Sequence, residues 1–141
     1  MSRRGARRVA LALGVAAVAG AIAAGLMILG SPADERLRRL DEMRVSDLLA
    51  ISRAFDSHWT THGRLPGSLT ELLAGPRANA RSRDPATGQE YGYRALGERT
   101  YELCADFDRD SSEGLPGMVN RFWAHGAGRQ CFHLEVEIPA G

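Results

Sequence analysis

The sequence predicts an α+β protein with an N-terminal transmembrane helix. One long amphipathic helix, packed on a small three-stranded antiparallel sheet, follows it. Three observations support this prediction. Residues 9–29 contain no charged residue. Residues 33–62 carry apolar side chains at near-helical spacing. Later segments alternate apolar and polar residues, as strands with one buried face do.

The uncharged segment is 21 residues long, and a helix needs about 20 residues to cross the hydrocarbon layer of a membrane. Four arginines precede it: Arg3, Arg4, Arg7 and Arg8. Positive charge favours the cytoplasmic side. We therefore expect residues 1–8 in the cytoplasm, residues 9–30 in the membrane and residues 31–141 as an extracytoplasmic domain.

A cleaved signal peptide is the alternative interpretation of this segment. The apolar region of a signal peptide usually spans about 7–15 residues and ends at a site of small residues. The present segment is longer, and a proline interrupts the possible site at Ser31, Pro32 and Ala33. An uncleaved anchor is therefore favoured, and both interpretations place the domain outside the cytoplasm.

The charge of the domain excludes one class of partner. Residues 34–141 hold 14 arginines and all 17 acidic residues, a net charge of −3, and the chain contains no lysine. A mildly acidic domain lacks the basic surface that binds nucleic acid. We expect no nucleic-acid partner.

The long helix is predicted over residues 33–62. Ser31 is a suitable N-cap, and Gly63 a suitable C-terminal cap. Its apolar positions are Leu37, Leu40, Met43, Leu48, Ile51, Phe55 and Trp59. Its polar side is predicted to hold Asp34, Glu35, Arg38, Arg39, Asp41, Glu42 and Asp47. A second, short helix follows, with Ser68 and Glu71 as a capping box.

Strands are predicted over residues 90–96, 100–107 and 131–138, after a turn at Asp84, Pro85 and Gly88. Residues 108–129 are predicted to be a long loop. The apolar side of the last strand holds Phe132, Leu134, Val136 and Ile138, and that of the middle strand holds Tyr101, Leu103, Ala105 and Phe107. Cys104 and Cys131 then fall on the opposite, outward face. Because small exported domains often carry disulfides, we predict a Cys104–Cys131 bond, with two free thiols as the alternative.

The segments GRLPGSLTELL and DPATGQEYGY, placed between an amphipathic helix and a strand pair, resemble type IV pilin-like proteins. The resemblance covers roughly residues 40–137 and is greatest to the major pseudopilins of type II secretion. The segments YELCADF and FWAHGAGRQCF look closer to a set of uncharacterised membrane-anchored bacterial domains. The resemblance implies a helix packed on a short antiparallel sheet. It also implies a bacterial inner (cytoplasmic) membrane, with the domain in the periplasm or outside the cell.

The chain departs from pilins in its membrane segment. Pilins and pseudopilins carry a processing motif before that segment and a glutamate early within it. Neither is present here. The resemblance to pseudopilins also implies a calcium loop near the C-terminus, which has no clear counterpart in this chain. The resemblance therefore supports the fold and not processing or filament assembly.

Two sets of side chains are weak candidates for metal ligands. His58 and His62 are four residues apart, as zinc-binding histidines on one helix face are, but Trp59 stands where a metalloprotease motif has glutamate. Asp106, Asp108, Asp110 and Glu113 could offer oxygen ligands to calcium, although Ser111 replaces the glycine of an EF-hand loop. A solvated acidic loop is the favoured interpretation, and no metal is predicted.

We find no nucleophile elbow, phosphate-binding loop or pair of catalytic carboxylates. The sequence therefore favours a structural or protein-interaction module at the cell envelope, without catalysis and without a cofactor. Its expected partners are the membrane and other envelope proteins. A ligand- or ion-sensing periplasmic domain and a true type II secretion pseudopilin are the alternatives.

Overall fold

The computed structural model describes residues 3–29, 31–75, 80–113 and 121–137. The chain divides into two compact units, residues 1–36 and residues 37–141. In the described residues the helices are α1 (Arg3–Leu29), α2 (Pro32–His62) and α3 (Leu69–Leu73). The strands are β1 (Gly92–Ala95), β2 (Thr100–Phe107) and β3 (Gly128–Glu135). These elements confirm the predicted α+β class.

Helix α1 exposes its apolar side chains. The exposed residues are Val9, Leu11, Leu13, Val15, Val18, Ile22, Leu26, Met27 and Ile28. Among the described residues, one helical stretch, which includes α1, is long and apolar enough to cross a membrane. Exposed apolar surface along a whole helix is what a hydrocarbon environment stabilises.

Helix α2 has the ends that the sequence predicts. The hydroxyl of Ser31 accepts a hydrogen bond from the backbone N–H of Ala33, at 3.2 Å. At the other end, Gly63 has a φ of 66° and its N–H donates to the carbonyl oxygen of Trp59 at 2.7 Å. Glycine adopts this left-handed conformation without the steric cost that a side chain adds.

Helix α3 is capped differently from the prediction. The hydroxyl of Ser68 accepts from the N–H of Glu71 at 3.1 Å, as expected. The Glu71 carboxylate, however, accepts from the N–H of Gly67 at 2.7 Å, not from that of Ser68 as a capping box requires. It also accepts from Arg64 at 2.7 Å, and these bonds hold the loop before α3 against the helix.

In the described part of the chain, the sheet has three antiparallel strands in the order β1-β2-β3. Strand β3 begins three residues before the predicted Cys131, because Gly128 and Gln130 pair with Phe107 and Ala105 at the end of β2. The strand ends at Glu135. The predicted last residue, Ile138, lies outside the described residues.

The core lies between α2 and one face of the sheet. Leu48, Ile51 and Phe55 of α2 have no exposed surface, and the ring of Phe55 stacks on that of Tyr101 with 4.0 Å between centroids. The predicted inner face of β2 is buried at all four positions, Tyr101, Leu103, Ala105 and Phe107. Alternation along β2 therefore predicted its buried face.

The prediction for the polar side of α2 is wrong at two residues. The exposed fractions of Asp41 and Asp47 are only 4% and 6%, and that of Arg44 is 3%. Asp47 accepts a hydrogen bond from the hydroxyl of Tyr91 at 2.9 Å, and this bond is buried. Charged groups are buried when other polar groups pair with them, and the pairing residues here come from distant parts of the sequence.

The predicted loop over residues 108–129 contains two short 3₁₀ turns, Ser111–Glu113 and Arg121–Trp123. The side chain of Trp123 is 3% exposed, and its ring packs on that of Phe132 with 4.9 Å between centroids. Trp123 thus covers the inner face of β3, which extends the core into the described part of this loop.

Candidate functional site

The outer face of the sheet holds two cross-strand pairs in consecutive same-face positions. Cys104 lies directly opposite Cys131, and Glu102 lies directly opposite His133. The two Sγ atoms are 2.06 Å apart, which is bonding distance, and the Cα atoms are 4.1 Å apart. A directly opposed pair without backbone hydrogen bonds brings Cα atoms to about 4.5 Å, so β2 and β3 themselves position the two thiols.

The two cysteines differ in their surroundings. Cys131 is exposed, as predicted for the outward face, but Cys104 is only 6% exposed. The reason is Gly92 of β1, which lies opposite Cys104. A methyl group at Gly92 would lie 2.9 Å from Cys104 Cβ and 2.8 Å from Arg129 Nη2, so only glycine leaves room for both side chains.

Glu102 is the second buried residue on this face, at 9% exposure. Its carboxylate contacts His133 Nε2 at 2.8 Å and accepts a hydrogen bond from Arg94 Nη2 at 3.0 Å. The hydrogen bond from His133, together with the charge of Arg94, lowers the pKa of Glu102. The carboxylate is therefore ionised at neutral pH.

A second cluster forms around Arg44 of α2, which meets three carboxylates. Its Nη1 donates to Asp41 Oδ1 and to Asp108 Oδ2, each at 2.6 Å. Its Nε donates to Asp84 Oδ2. Burial by itself would lower the pKa of Arg44, but the hydrogen bonds to Asp84, Asp108 and Asp41 outweigh burial and raise it. One cation thus links the helix to the two loops that carry Asp84 and Asp108.

Backbone groups complete the partners of these carboxylates. Asp41 accepts from the N–H groups of Asp108 and Arg109 at 3.0 and 2.9 Å. Asp84 accepts from the N–H groups of Ala86 and Thr87 at 2.8 and 2.9 Å. Although burial raises the pKa of Asp84, the hydrogen bonds from Arg44 and from these backbone groups outweigh it and lower the pKa.

A cleft of about 160 Å³ lies beside the Arg44 cluster and reaches Cys104. It is lined by Arg44, Asp84, Thr87, Gln89, Glu90, Tyr91, Cys104, Ala105, Asp106, Phe107, Asp108 and Arg129. Arg44 and Asp84 are already bonded to each other, and Asp106 lies 3.6 Å from Arg129. These ion pairs stabilise the walls of the cleft.

The structure does not bring the predicted acidic residues together as metal ligands. Asp106 points to Arg129, Asp108 bonds Arg44, and Asp110 accepts from the N–H of Ser112 at 2.7 Å. Within the described residues, no three of their ligand atoms approach one another within 4.8 Å. The side chain of Glu113 lies outside the described part of the chain.

The histidine pair on α2 also lacks a third ligand among the described residues. The rings of His58 and His62 stack with 4.1 Å between centroids, and His62 Nδ1 lies 3.1 Å from the carbonyl oxygen of His58. Burial, followed by the nearby charge of His62, lowers the pKa of His58. The pair is therefore a local helix contact in this structure.

Sequence reasoning missed the cluster around Arg44, although a signal was present. Positions 41 and 44 continue the series of positions 48, 51 and 55 toward Leu37, at helical intervals of three and four. Charged residues at core positions of an amphipathic helix indicate buried ion pairs. The partner residue, Asp84, lies in the predicted DPATG turn.

The chain matches no protein-family model, no curated protein and no solved structure.

Proposed function

We propose that this protein is a membrane-anchored envelope protein whose extracytoplasmic, pilin-like domain is a structural or protein-interaction module. One observation carries the proposal. A helix with an exposed apolar surface, α1, is followed along the chain by an α+β unit that contains a bonded cysteine pair. A disulfide persists in oxidising compartments. The arginines before the apolar segment favour a cytoplasmic position for the N-terminal flank, which puts the α+β unit on the other side of the membrane.

The distribution of polar groups in the domain supports a non-catalytic role. The buried charges of Arg44 and Glu102 are both compensated, by Asp41 on the same helix and otherwise by partners on other segments. Catalytic acids and bases must instead reach a substrate with at least one hydrogen-bonding position available. The buried charges here connect helix, loops and strands, which suits a rigid module.

The topology is tested with a reporter that is active only outside the cytoplasm, fused after Gly141. We expect activity, because the N-terminal arginines keep the short N-terminus inside. The matched control is a reporter that requires the cytoplasm, fused at the same position, which should be inactive. The reverse pattern would place the domain in a reducing compartment and overturn the proposal.

The interaction is tested by photo-cross-linking in membranes. Leu96 and Phe122 are large apolar side chains that are 45% and 51% exposed, whereas Leu48 is fully buried. A photoreactive residue at position 96 or 122 should give a discrete adduct with an envelope protein, and one at position 48 should not. Equal labelling at all three positions, or none, would contradict an interaction module.

Two measurements separate the alternatives. Calcium-dependent thermal stability would favour an ion-sensing domain over an interaction module. Processing by prepilin peptidase, seen by mass spectrometry as a new amino terminus at the apolar segment, would favour a true pseudopilin. The missing processing motif and acidic residue lead us to expect the full-length chain.

A further inference from the structure

We propose that reduction of the Cys104–Cys131 bond creates a binding site for a divalent metal ion of the zinc class, formed by both thiolates, Glu102 and His133. The site lies on the outer face of the sheet and does not depend on the proposed interaction role. It is distinct from the acidic residues at the end of β2 and in the loop that follows, whose described members the structure does not bring together.

The arrangement of donor atoms carries this proposal. The two Sγ atoms and a carboxylate oxygen of Glu102 all lie within 4.8 Å of one another. His133 Nε2 is 2.8 Å from Glu102 Oε2 but lies outside this group of three, so its ring has to turn toward the sulfur atoms to become the fourth ligand. Two sulfurs, one imidazole nitrogen and one carboxylate oxygen are ligands that zinc accepts in tetrahedral sites. Calcium and magnesium prefer oxygen ligands alone.

The strand register places these four residues on one face of the sheet before any metal arrives. Cys104 and Glu102 are two residues apart on β2, and their partners Cys131 and His133 are two residues apart on β3. All four side chains therefore leave the same face of the sheet. Backbone pairing holds this arrangement whether or not the sulfur atoms are bonded to each other.

The surroundings suit an ion that enters from solvent. Cys131 and His133 are exposed, whereas Cys104 and Glu102 form a buried floor. Arg129 Nη2 and Cys104 Sγ lie 2.8 and 3.5 Å from the position that a Cβ at Gly92 would occupy. The thiolate is the form of cysteine that binds metal, and reduction supplies two thiols at this position.

The chemistry requires an external reductant. A phosphine attacks one sulfur and takes the oxygen of a water molecule, which gives phosphine oxide and two thiols. The metal ion then replaces the two thiol protons, which are released to solvent. The electron pair of the S–S bond and the pair that the phosphine donates become the two thiolate pairs that bind the ion, so disulfide and metal exclude each other at this site.

The test uses the full chain in detergent, reduced with a phosphine, freed of reductant under nitrogen and titrated with Co²⁺ as the probe. We expect sulfur-to-cobalt charge-transfer absorption that saturates at one ion per chain, with release of thiol protons. The unreduced chain should show no such absorption. Absorption in the unreduced chain, its absence in the reduced chain, or one ion per two chains would overturn the proposal.

Variants that keep both cysteines test the other two ligands. His133→Asn and Glu102→Gln should each weaken Co²⁺ binding at least about tenfold in the reduced chain. His62→Asn is the matched control, since His62 lies on α2 and should leave binding unchanged. If Co²⁺ affinity were unchanged in both of these variants, the two thiols would be the only ligands and the proposal would be contradicted. Circular dichroism verifies that each variant is folded.

Discussion

Replacement of Arg44 by methionine should lower the free energy of unfolding by about 3–5 kcal/mol. The variant leaves the carboxylates of Asp41 and Asp84 buried without their cation, at 4% and 8% exposure. Uncompensated buried charge costs far more than the loss of one exposed ion pair. Urea unfolding of the full chain in detergent, followed by tryptophan fluorescence, measures the change because Trp123 is buried in the core.

The matched control for this prediction is Arg64→Met. The Arg64 side chain is 60% exposed and pairs with Glu71 at 2.7 Å on the surface. Exposed pairs of this kind contribute little to stability, so this variant should lose much less than Arg44→Met. If the two variants lost similar stability, Arg44 would not be the residue that holds the three segments together.

The pH dependence of the free energy of unfolding provides a second test of the prediction for Arg44→Met. The pKa of Asp84 is lowered in the folded state below its ordinary 3.8. Its contribution to stability is therefore fully present above about pH 4 and is lost as the pH falls through the folded-state pKa. Because Arg44→Met removes the cation that lowers this pKa, the difference in stability between wild type and variant should narrow below pH 4. A difference that stays constant down to pH 2 would contradict this origin.

Loss of the cysteine pair should have an effect of similar size. The bond closes a loop with a sequence separation of 27, for which the chain-entropy relation gives about 3–4 kcal/mol. We expect Cys131→Ser to lose about 2–4 kcal/mol. Cys104→Ser should lose more, because a serine hydroxyl then occupies a site that is only 6% exposed. Urea unfolding without reductant measures both.

The double variant is the control for this prediction. If both single variants delete one shared bond, Cys104→Ser with Cys131→Ser should lose little more than Cys104→Ser alone. Losses that add would instead indicate two separate thiols. Intact-mass measurement after alkylation, with and without reductant, tests the bond directly, and two alkylated cysteines in the unreduced protein would refute it.

The sequence predicted those parts of the fold that depend on local patterns. The caps at Ser31 and Gly63 depend on neighbouring residues only, and they determine where α2 begins and ends. Alternation along β2 and β3 also placed Cys104 and Cys131 on one face. The register that brings them directly opposite each other involves residues far apart in sequence, and parity alone does not determine it.

The burial of charge could not be predicted in the same way. A hydrophobic pattern assigns aspartate to solvent and therefore predicts Asp41 on the exposed side of α2. Its burial depends on Arg44 and on backbone groups 67 and 68 residues away, at Asp108 and Arg109. Similarly, Cys104 was expected to be exposed, and it is covered because Gly92 on the adjacent strand allows Arg129 to approach. Such pairings appear only once the strands are assembled.

The strand order β1-β2-β3 has a consequence for how the disulfide forms. Each strand pairs with its neighbour along the chain, so the sheet can assemble as successive segments emerge. The chain holds two cysteines, which allow one intramolecular bond. An oxidant can therefore act on strands that already hold the thiols opposite each other. Within a single chain, maturation requires oxidation but no step that rearranges mispaired disulfides.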